Sequence, residues 1–231
     1  MSSPTGNEAP RRAGRPRRDG RVVVGDPTDE VLRAASTLIS ELGVGGTTMS
    51  RIAAASGLGP SSLYYYFRSR DEIVAALVAR ANVVPLDLID RLTKDSGSIP
   101  AKLFQFVAGD VEALCLLPFD INEVHRIAAR DRDRFADYWK ERARLERKLA
   151  ALIRQGIDGG HLRPVDAPLV AVTIMSNDEG VQNWFRLGTR RRPRDIGRSV
   201  AELTVSGLLS ERMTLEQVAD EISNDHRNRH G

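Results

Sequence analysis

The chain has 231 residues, of which 41% are hydrophobic, so it can fill the core of one large domain or two modest ones. Its single cysteine, Cys115, excludes an internal disulfide framework and any multi-cysteine zinc site, and we expect a cytoplasmic location. The net charge is +3, and no stretch approaches the roughly 18 uninterrupted apolar residues that span a bilayer, so the sequence predicts no membrane partner.

The chain begins with a basic segment, residues 1–25. This segment contains six arginines against Glu8 and Asp19, a net charge of +4 that exceeds the charge of the whole chain. It is too polar to bury a core, so we predict a disordered basic arm whose arginines can neutralise phosphates. Arg15 and Arg17 lie in a Gly-Arg-Pro-Arg stretch that resembles the core of an AT-hook, which binds in a minor groove. A solvated basic arm is the alternative.

The first predicted helix begins at Pro27 and Thr28 and ends at Gly43. Its apolar residues recur at helical spacing, so one face of the helix can serve as a hydrophobic platform for the helices that follow. The residues of this face are Val31, Leu32, Ala35, Leu38, Ile39 and Leu42. A loop over residues 43–46 then leads to the next segment.

Residues 47–70 predict two short helices joined by a tight turn. Thr48 has the side-chain oxygen to cap the first helix, and Gly57 ends it because a residue that tolerates positive φ commonly follows a helix. Pro60 suits the first position of the second helix, since its fixed φ and missing N–H are harmless there. The second helix is predicted to run from about Pro60 to Phe67.

This second helix carries more hydroxyl groups than packing requires. Leu63 and Phe67 lie four residues apart on one face and can anchor the helix to its domain. The polar and basic positions that remain are Ser61, Ser62, Tyr64, Tyr65, Arg68 and Arg70. Such side chains suit hydrogen bonds to phosphates and contacts with base edges in a major groove. The alternative is that the tyrosines at 64–66 are half-buried core residues with solvated hydroxyls.

These residues resemble a known family. Their spacing matches, without a gap, the N-terminal signature of the TetR family of transcriptional regulators, and the resemblance covers residues 27–75. The matching residues are Thr48, Ile52, Ala53, Gly57, Leu58, Ser62, Leu63, Tyr64, Tyr66, Phe67, Ser69 and Ile73. The resemblance implies an all-α homodimer with an N-terminal DNA-binding domain and a C-terminal domain for ligand binding and dimerisation.

The resemblance also implies DNA contacts for individual residues. Thr48 and Tyr66 would contact phosphates, and Arg70 would reach the DNA backbone. Ser50 is also a predicted DNA contact, although members of the family often carry a longer polar or basic side chain at this position. The residues implied to face bases or sugars are Pro60, Ser61, Ser62, Tyr64 and Tyr65. Gly59 and Pro60 stand where Ser and Lys are more usual.

The rest of the chain predicts further helices. We place the DNA-binding domain at residues 26–72 and the effector-binding and dimerisation domain at residues 73–231. Asp71 and Glu72 open a fourth helix, which joins the two domains. Apolar periodicity without strand alternation predicts an all-α fold of about nine to ten helices. The later helices are predicted at about 100–117, 120–129, 135–157, from 168 onward, 195–209 and 215–222.

Two late helices, from Pro168 and from Asp195, combine apolar and small residues. Small residues allow a second copy of the chain to approach closely, which predicts a four-helix dimer interface. The predicted interface residues are Val172, Val181, Ile196, Val200, Leu203 and Gly207. A dimer would present two recognition helices to a palindromic DNA site. The alternative is that one of these helices packs entirely inside its own subunit.

Aromatic and polar side chains of the second domain are numerous enough to line an apolar pocket for a small-molecule effector. The predicted pocket residues are Phe104, Phe119, His125, Tyr138, Trp139, Met175, Asn177, Asp178 and Trp184. His125, Asn177 or Asp178 would orient a polar group of the effector. Alternatively, the aromatic residues belong to the core, and residues 177–179 form a solvent-facing turn or interface hydrogen bonds.

The sequence contains no recognisable catalytic motif. It has no P-loop, no GxGxxG and no GxSxG, and its four histidines form no HExxH or HxH arrangement. We therefore expect no enzymatic activity, no cofactor and no metal. We interpret the chain as a ligand-responsive transcriptional repressor that releases a palindromic DNA operator when a small molecule binds its C-terminal domain. A helical enzyme acting on small molecules and a helical adaptor that does not bind DNA are the alternatives.

Overall fold

The structure is a computed structural model that describes residues 26–117, 119–186, 188–211 and 214–230, with side chains described to residue 222. The predicted basic arm, with Arg15 and Arg17, lies outside the described residues. Within them the fold is all-α, as predicted, and strand-like pairing is confined to an isolated bridge between Leu162 and Leu209. No helix in this part of the chain has the length and apolarity needed to cross a bilayer.

Eleven α-helices and one 3₁₀ turn make up the described chain, one α-helix more than the upper prediction. They are α1 (Pro27–Gly46), α2 (Met49–Ser56), α3 (Pro60–Tyr66), α4 (Arg70–Arg80), α5 (Val83–Leu92), α6 (Ile99–Leu116), α7 (Ile121–Arg130), α8 (Ala136–Asp158), α9 (Ala167–Glu179), the 3₁₀ turn (Gly180–Asn183), α10 (Pro193–Ser206) and α11 (Leu215–His230). The chain divides into two compact units, the first ending at Val74 and the second beginning at Ala75, so α4 contributes to both.

In the first unit, α1 packs on α2 and α2 packs on α3. Asp26 caps α1 by accepting a hydrogen bond from the Thr28 amide at 2.9 Å. The backbone leaves the helical conformation at Gly43, where φ is +68°, before a short continuation to Gly46. The buried residues of α1 are Val31, Leu32, Ala35, Ser36 and Ile39.

In the second unit, α6 is the central helix and packs against α5, α8, α9, α10 and α11. Leu116 is the one exposed residue of this helix, in keeping with its nearly continuous apolar sequence. The approach of α10 is close: a Cβ atom placed on Gly197 would lie 2.3 Å from the carbonyl oxygen of Ala108. Only a glycine fits this crossing without movement of the backbone.

The N-terminal end of α6 is joined to α11. Ser98 caps α6, and its hydroxyl oxygen accepts a hydrogen bond from the Ala101 amide at 3.4 Å. Glu221 of α11 in turn accepts hydrogen bonds from both the amide and the hydroxyl of Ser98. A carboxylate at this position is also favoured by the positive end of the α6 dipole.

Two helices differ from the sequence prediction. Pro85 predicts an interruption of helical structure, yet it lies in the first turn of α5, where the missing N–H of proline is harmless. Helix α11 begins at Leu215, as predicted, but continues past Ile222 to His230.

Candidate functional site

Helices α2 and α3 form the predicted helix-turn-helix. The Thr48 hydroxyl oxygen accepts a hydrogen bond from the Arg51 amide at 3.3 Å, which caps α2 as expected. Gly57 ends α2 with a φ of +67°, and Pro60 occupies the first turn of α3. The local signals in the sequence therefore locate both helices and the turn between them.

Helix α3 presents its tyrosines to solvent. Leu63 and Phe67 are buried and anchor the helix. Tyr64, Tyr65 and Tyr66 are 54%, 83% and 39% exposed, and the rings of Tyr65 and Tyr66 meet edge to face with centroids 5.1 Å apart. The half-buried alternative therefore does not describe Tyr64 or Tyr65, and Tyr66 keeps an accessible edge.

Neither α2 nor α3 contains an acidic residue. Arg51 and Arg68 are exposed. The half-buried Arg70 donates a hydrogen bond from its guanidinium to the Val44 carbonyl oxygen at 3.2 Å. The other exposed positions of the predicted DNA surface are Thr48, Ser50, Pro60 and Ser61, whereas Ser62 is half-buried. This surface is suited to a polyanion, because phosphates attract its charges and accept hydrogen bonds from its hydroxyls.

In the second unit, a small, partly open cavity lies beside the segment that joins α4 to α5. Its free space is about 20 Å³, enough for about one water molecule. The apolar residues that line it are Ala81, Val84, Pro85, Ala113, Leu114, Leu117, Ile121, Leu145 and Met175. The polar residues that line it are Asn82, Asp110, Arg142 and Glu179. A larger molecule can enter only if these walls separate.

An ion-pair network joins three helices at this cavity. Arg142 of α8 donates two hydrogen bonds to Glu179 of α9, at 2.6 and 3.2 Å. His125 of α7 places its Nε2 atom 3.1 Å from the same carboxylate, and its Nδ1 atom is paired with the Tyr138 hydroxyl. Burial disfavours the charged form of Glu179, but hydrogen bonds from His125 and Arg142 outweigh burial and lower the pKa of Glu179. Glu179 is therefore a fixed negative charge.

Two further carboxyls near the network lack such compensation. Burial, followed by the charge of Glu179, raises the pKa of Asp110 to about 7 despite the opposing charge of Arg142. Asp178 is fully buried, and neither carboxylate oxygen has a hydrogen-bond partner among the described residues. Burial and the charges of Asp110 and Glu179 raise the pKa of Asp178 well above its usual value, although the nearby Asn177 amide opposes them.

Two family models match the chain, one in each unit. The model of "Bacterial regulatory proteins, tetR family" matches residues 31–77, and the model of "Tetracyclin repressor-like, C-terminal domain" matches residues 122–208. The first match contains the helix-turn-helix, and the second contains His125, Arg142 and Glu179. The chain belongs to the TetR family of transcriptional regulators. The resemblance drawn from the sequence is thus confirmed.

Similar TetR-family proteins cover most of the chain. The HTH-type transcriptional repressor KstR2 of Mycobacterium tuberculosis strain H37Rv is 28% identical over 190 residues, 79% of this chain and 92% of KstR2. The structure of M. tuberculosis KstR2 matches with a TM-score of 0.72 at 22% identity, over 82% of this chain and 98% of that chain. AibR in complex with isovaleryl coenzyme A and operator DNA matches with a TM-score of 0.63 at 18% identity, over 80% and 98%. These structures show that the fold is shared.

Four of the pocket residues predicted for this TetR-family chain lie at or beside the cavity. Met175 lines it, while His125, Tyr138 and Asp178 belong to the polar cluster next to it. The structure therefore brings together side chains from α7, α8 and α9 that the sequence separates widely.

The other predicted pocket residues do not line the cavity. Phe104 and Phe119 are buried elsewhere in the core, and the indole of Trp139 donates a hydrogen bond to the Ala128 carbonyl oxygen at 3.1 Å. Asn177 and Trp184 are exposed and are not among the residues that line the cavity. For the two phenylalanines the alternative of ordinary core packing is the better description.

The sequence prediction did not include Asn82, Asp110, Arg142 or Glu179 as pocket residues, although all four line the cavity. In the sequence, Arg142 and Glu179 lie beside other charged residues, a pattern that usually indicates solvated surface. The available signals were weak: Asp110 interrupts an otherwise apolar helix, and residues 177–179 interrupt another.

The predicted dimer residues divide into buried and exposed groups. Val181 and Ile196 are buried within the subunit, so their side chains pack in its own core rather than against a second copy. Leu203 is 78% exposed, Val172 and Gly207 are exposed, and Val200 is half-buried. Leu169, which was not among the predicted residues, is also exposed on α9. We define the outward surface of α9 and α10 as Leu169, Val172, Val200, Leu203 and Gly207.

Proposed function

We propose that this TetR-family chain is a ligand-responsive repressor that binds a palindromic DNA operator as a homodimer and releases it when a small molecule occupies the C-terminal unit. The observation that carries the proposal is the exposure of Tyr64 and Tyr65 on a helix anchored by Leu63 and Phe67. Exposed aromatic rings add little to folding, but rings with hydroxyl groups serve well in a contact with a partner. We propose no enzymatic activity, and a cytoplasmic location, where operator DNA is found.

In the proposed complex, α3 enters the major groove and α2 crosses the DNA backbone. The residues proposed to contact DNA are Thr48, Ser50, Pro60, Ser61, Ser62, Tyr64, Tyr65, Tyr66 and Arg70. Hydroxyls and the Arg70 guanidinium would bind phosphates, while the small and aromatic side chains of α3 would contact base edges and thymine methyls. Arg15 and Arg17 of the N-terminal arm would add phosphate or minor-groove contacts.

Dimerisation is proposed to use the outward surface of α9 and α10. Leu169 and Val172 lie three residues apart on α9, and Leu203 is the most exposed apolar residue of α10, so both helices carry apolar side chains that face solvent. Two such helices from each subunit can pack into a four-helix interface. The dimer would place two copies of α3 on half-sites about one helical turn, roughly 34–36 Å, apart.

The segment between α4 and α5 lines the cavity, and it follows directly on α4, which begins in the first unit. Asn82 is buried there, and its side-chain amide donates a hydrogen bond to the Tyr138 carbonyl oxygen of α8 at 3.0 Å. A ligand that enlarges the cavity would displace this segment and with it the end of α4, whose other end lies in the first unit. The ligand would shift the DNA-binding equilibrium to the extent that it binds the released state more tightly.

Capture of genomic DNA tests this function. The purified full-length protein is mixed with sheared genomic DNA, and the bound fragments are sequenced. We expect the fragments to share an inverted repeat, because each subunit of a symmetric dimer binds the same half-site. Transcription from a captured promoter should fall when the protein is added, which separates a repressor from an activator.

A variant with Ser61→Ala, Tyr64→Ala and Tyr65→Ala provides the matched control. All three side chains are exposed, so the variant should keep its fold and its dimer. It should recover no enriched repeat. Recovery of the same fragments by the variant would show that α3 does not bind the operator, and the absence of any shared repeat with the wild type would refute the function.

A further inference from the structure

We propose that the effector of this regulator is an organic cation, a molecule with an amine group and an apolar body, which Asp110 and Asp178 hold in the C-terminal unit. The inference rests on the proposed function, because it names the class of molecule that fills the cavity of a ligand-responsive repressor. Three observations support it: the charges that line the cavity, an unpartnered buried carboxylate beside it, and the apolar character of the other walls.

Carboxyl groups outnumber basic groups at the cavity. Asp110 and Glu179 line it together with Arg142. The guanidinium of Arg142 is held by two other carboxylates, since it donates two hydrogen bonds to Glu179 and its Nε atom lies 3.6 Å from Glu146. Arg142 therefore compensates Asp110 only in part, and burial, followed by the charge of Glu179, keeps the pKa of Asp110 raised. A ligand with a positive charge would supply the compensation for Asp110 that Arg142 does not.

Asp178 is the unpartnered carboxylate. It is fully buried on α9, next to Glu179 and three residues after Met175, both of which line the cavity. Neither oxygen of Asp178 accepts a hydrogen bond from the described residues. A buried carboxylate without donors is strongly unfavourable, whereas an ammonium group supplies three donors and the missing positive charge.

The remaining walls select the body of the ligand. Nine of the residues that line the cavity are apolar, and they come from the segment between α4 and α5 and from α5 to α9. Apolar walls with a few convergent polar groups are typical of sites for small organic molecules. A bare inorganic cation would leave these walls without a partner, so the structure favours an amine attached to a hydrocarbon or aromatic group.

An anionic effector fits these walls poorly. To reach Arg142, a carboxylate or phosphate would have to displace Glu179 and would then lie close to Asp110. AibR shares the fold and was solved in complex with isovaleryl coenzyme A, a thioester that carries phosphates. We therefore expect this chain to bind a cationic ligand, unlike AibR, although the two proteins share the fold.

Three probes that share a phenethyl group test the inference: phenethylamine, 2-phenylethanol and 3-phenylpropanoate. Their binding to the full-length protein is measured by isothermal titration calorimetry, with isovaleryl coenzyme A as a fourth probe. We expect phenethylamine to bind roughly tenfold to a hundredfold more tightly than the alcohol, because a hydrogen bond between charged groups contributes about that ratio. Neither anion should bind.

Charge-removing variants locate the site. Asp178→Asn and Asp110→Asn keep the shape of the side chain, and each should reduce the preference for the amine by about tenfold. Asp137→Asn is the matched control, since Asp137 is an exposed carboxylate of α8 in the same unit. It should leave the preference unchanged. Thermal unfolding of each variant verifies that it is folded.

Proton release gives an independent readout. Burial raises the pKa of Asp110 to about 7, so this carboxyl holds a proton at about pH 6, and an ammonium ligand must displace it. Calorimetry at about pH 6 in buffers of different ionisation enthalpy should show proton release. The affinity for phenethylamine should rise toward about pH 8, whereas that for 2-phenylethanol should stay constant.

Several outcomes would overturn the inference. They are equal binding of the amine and the alcohol, tighter binding of either anion, no binding of phenethylamine at millimolar concentration, or a preference that survives both Asp→Asn variants. Capture of operator DNA by the wild type is measured separately and without any probe. A protein that recovers its operator but fails the probe tests refutes the ligand class alone, whereas one that recovers no operator refutes the proposed function.

Discussion

Tyr65 shows how a single residue can indicate a partner. Its side chain is 83% exposed, so it buries little apolar area on folding and adds little to the stability of the subunit. The ring of Tyr66 restrains it from one side. A rigid ring with a terminal hydroxyl loses little conformational entropy when it binds, which makes it suited to a contact in the major groove.

Replacement of Tyr65 by Ala should lower operator affinity by roughly tenfold to a hundredfold, the range expected for one base-edge contact. The free energy of unfolding should change by less than about 0.5 kcal/mol, because the residue is exposed. Fluorescence anisotropy with labelled operator measures the affinity. Tyr65→Phe separates the hydroxyl from the ring, and Leu42→Ala, an exposed position of α1, is the control. Unchanged affinity in Tyr65→Ala would remove this residue from the DNA surface.

Asp110 makes stability depend on pH. The folded protein keeps its proton up to about pH 7, whereas the unfolded chain releases it near 3.8. The stability that this group contributes is therefore fully present below about pH 4 and is lost as the pH rises toward about 7. Arg142 of α8 and the carboxyls of Glu179 and Asp178 on α9 act on it. Glu179 has the opposite sign, because its lowered pKa contributes stability that is lost as the pH falls.

Asp110→Asn should therefore gain stability relative to the wild type as the pH rises from about 4 to about 7, by at most about 1.4 kcal/mol per pH unit. Urea unfolding at a series of pH values measures the difference. Asp137→Asn, whose carboxyl is exposed, should follow the wild type at every pH. A difference between Asp110→Asn and the wild type that does not vary with pH would contradict the raised pKa.

At the scale of elements, the crossing of α6 and α10 depends on a glycine. A Cβ atom on Gly197 would lie 2.3 Å from the Ala108 carbonyl oxygen and 3.2 Å from its carbonyl carbon. Backbone atoms cannot rotate away as the end of a side chain can, so any larger residue must push the two helices apart.

Gly197→Ala should lower the free energy of unfolding by about 1–3 kcal/mol through this overpacking, despite the higher helix propensity of alanine. Chemical denaturation measures the change. Gly180→Ala is the matched control: its Cβ would meet nothing within 4 Å, and its φ of −58° suits any residue. This control should be neutral or up to about 1 kcal/mol more stable. Equal stability of the two variants would show that the helices adjust without cost.

The helices of the first unit could be predicted from the sequence because their boundaries depend on local chemistry. Thr48, Gly57 and Pro60 act through hydrogen bonds and φ angles within a few residues of themselves. Helix α5 was missed for a related reason. Proline lacks a backbone N–H both where it interrupts a helix and where it lies in the first turn of one. Pro85 alone therefore does not distinguish the two cases, and only the preceding residues do.

The interface and the cavity could be predicted only in part, because they depend on which helices meet. Periodicity predicts that Val181 and Ile196 lie on apolar faces, but it does not show whether those faces pack within one subunit or between two. In the structure both side chains are buried within the subunit. Arg142 and Glu179 lie 37 positions apart and are paired only through the packing of α8 on α9. Charge-rich helix faces usually remain solvated, so nothing local marked this pair as largely removed from solvent.

For the whole molecule, the proposed function requires two copies. One α3 helix offers a small surface, and a second copy tethered at the right separation adds affinity without any new kind of contact. The exposed Leu169 and Leu203 are the side chains that a dimer would bury. Assembly and DNA binding should therefore be lost together.

Leu203→Glu should produce a folded monomer, because the site is 78% exposed in the subunit but a charge cannot be buried in the interface. Sedimentation equilibrium measures the assembly state. Operator affinity should fall by about a hundredfold or more, as expected when avidity is lost. Leu116→Glu places the same change at another exposed leucine and should remain dimeric. A Leu203→Glu protein that stays dimeric would move the interface away from α10.

Glu221 on α11 holds the N-terminal end of α6, the helix that also supplies Asp110 to the cavity wall. For anyone who builds a fluorescent biosensor from this chain, a reporter domain fused behind α11 would strain a helix that lines the proposed ligand site. A fusion ahead of α1 would instead crowd the arginines of the arm. The solvent-facing turn at residues 189–192 is a better insertion point, because a reporter there is attached to neither.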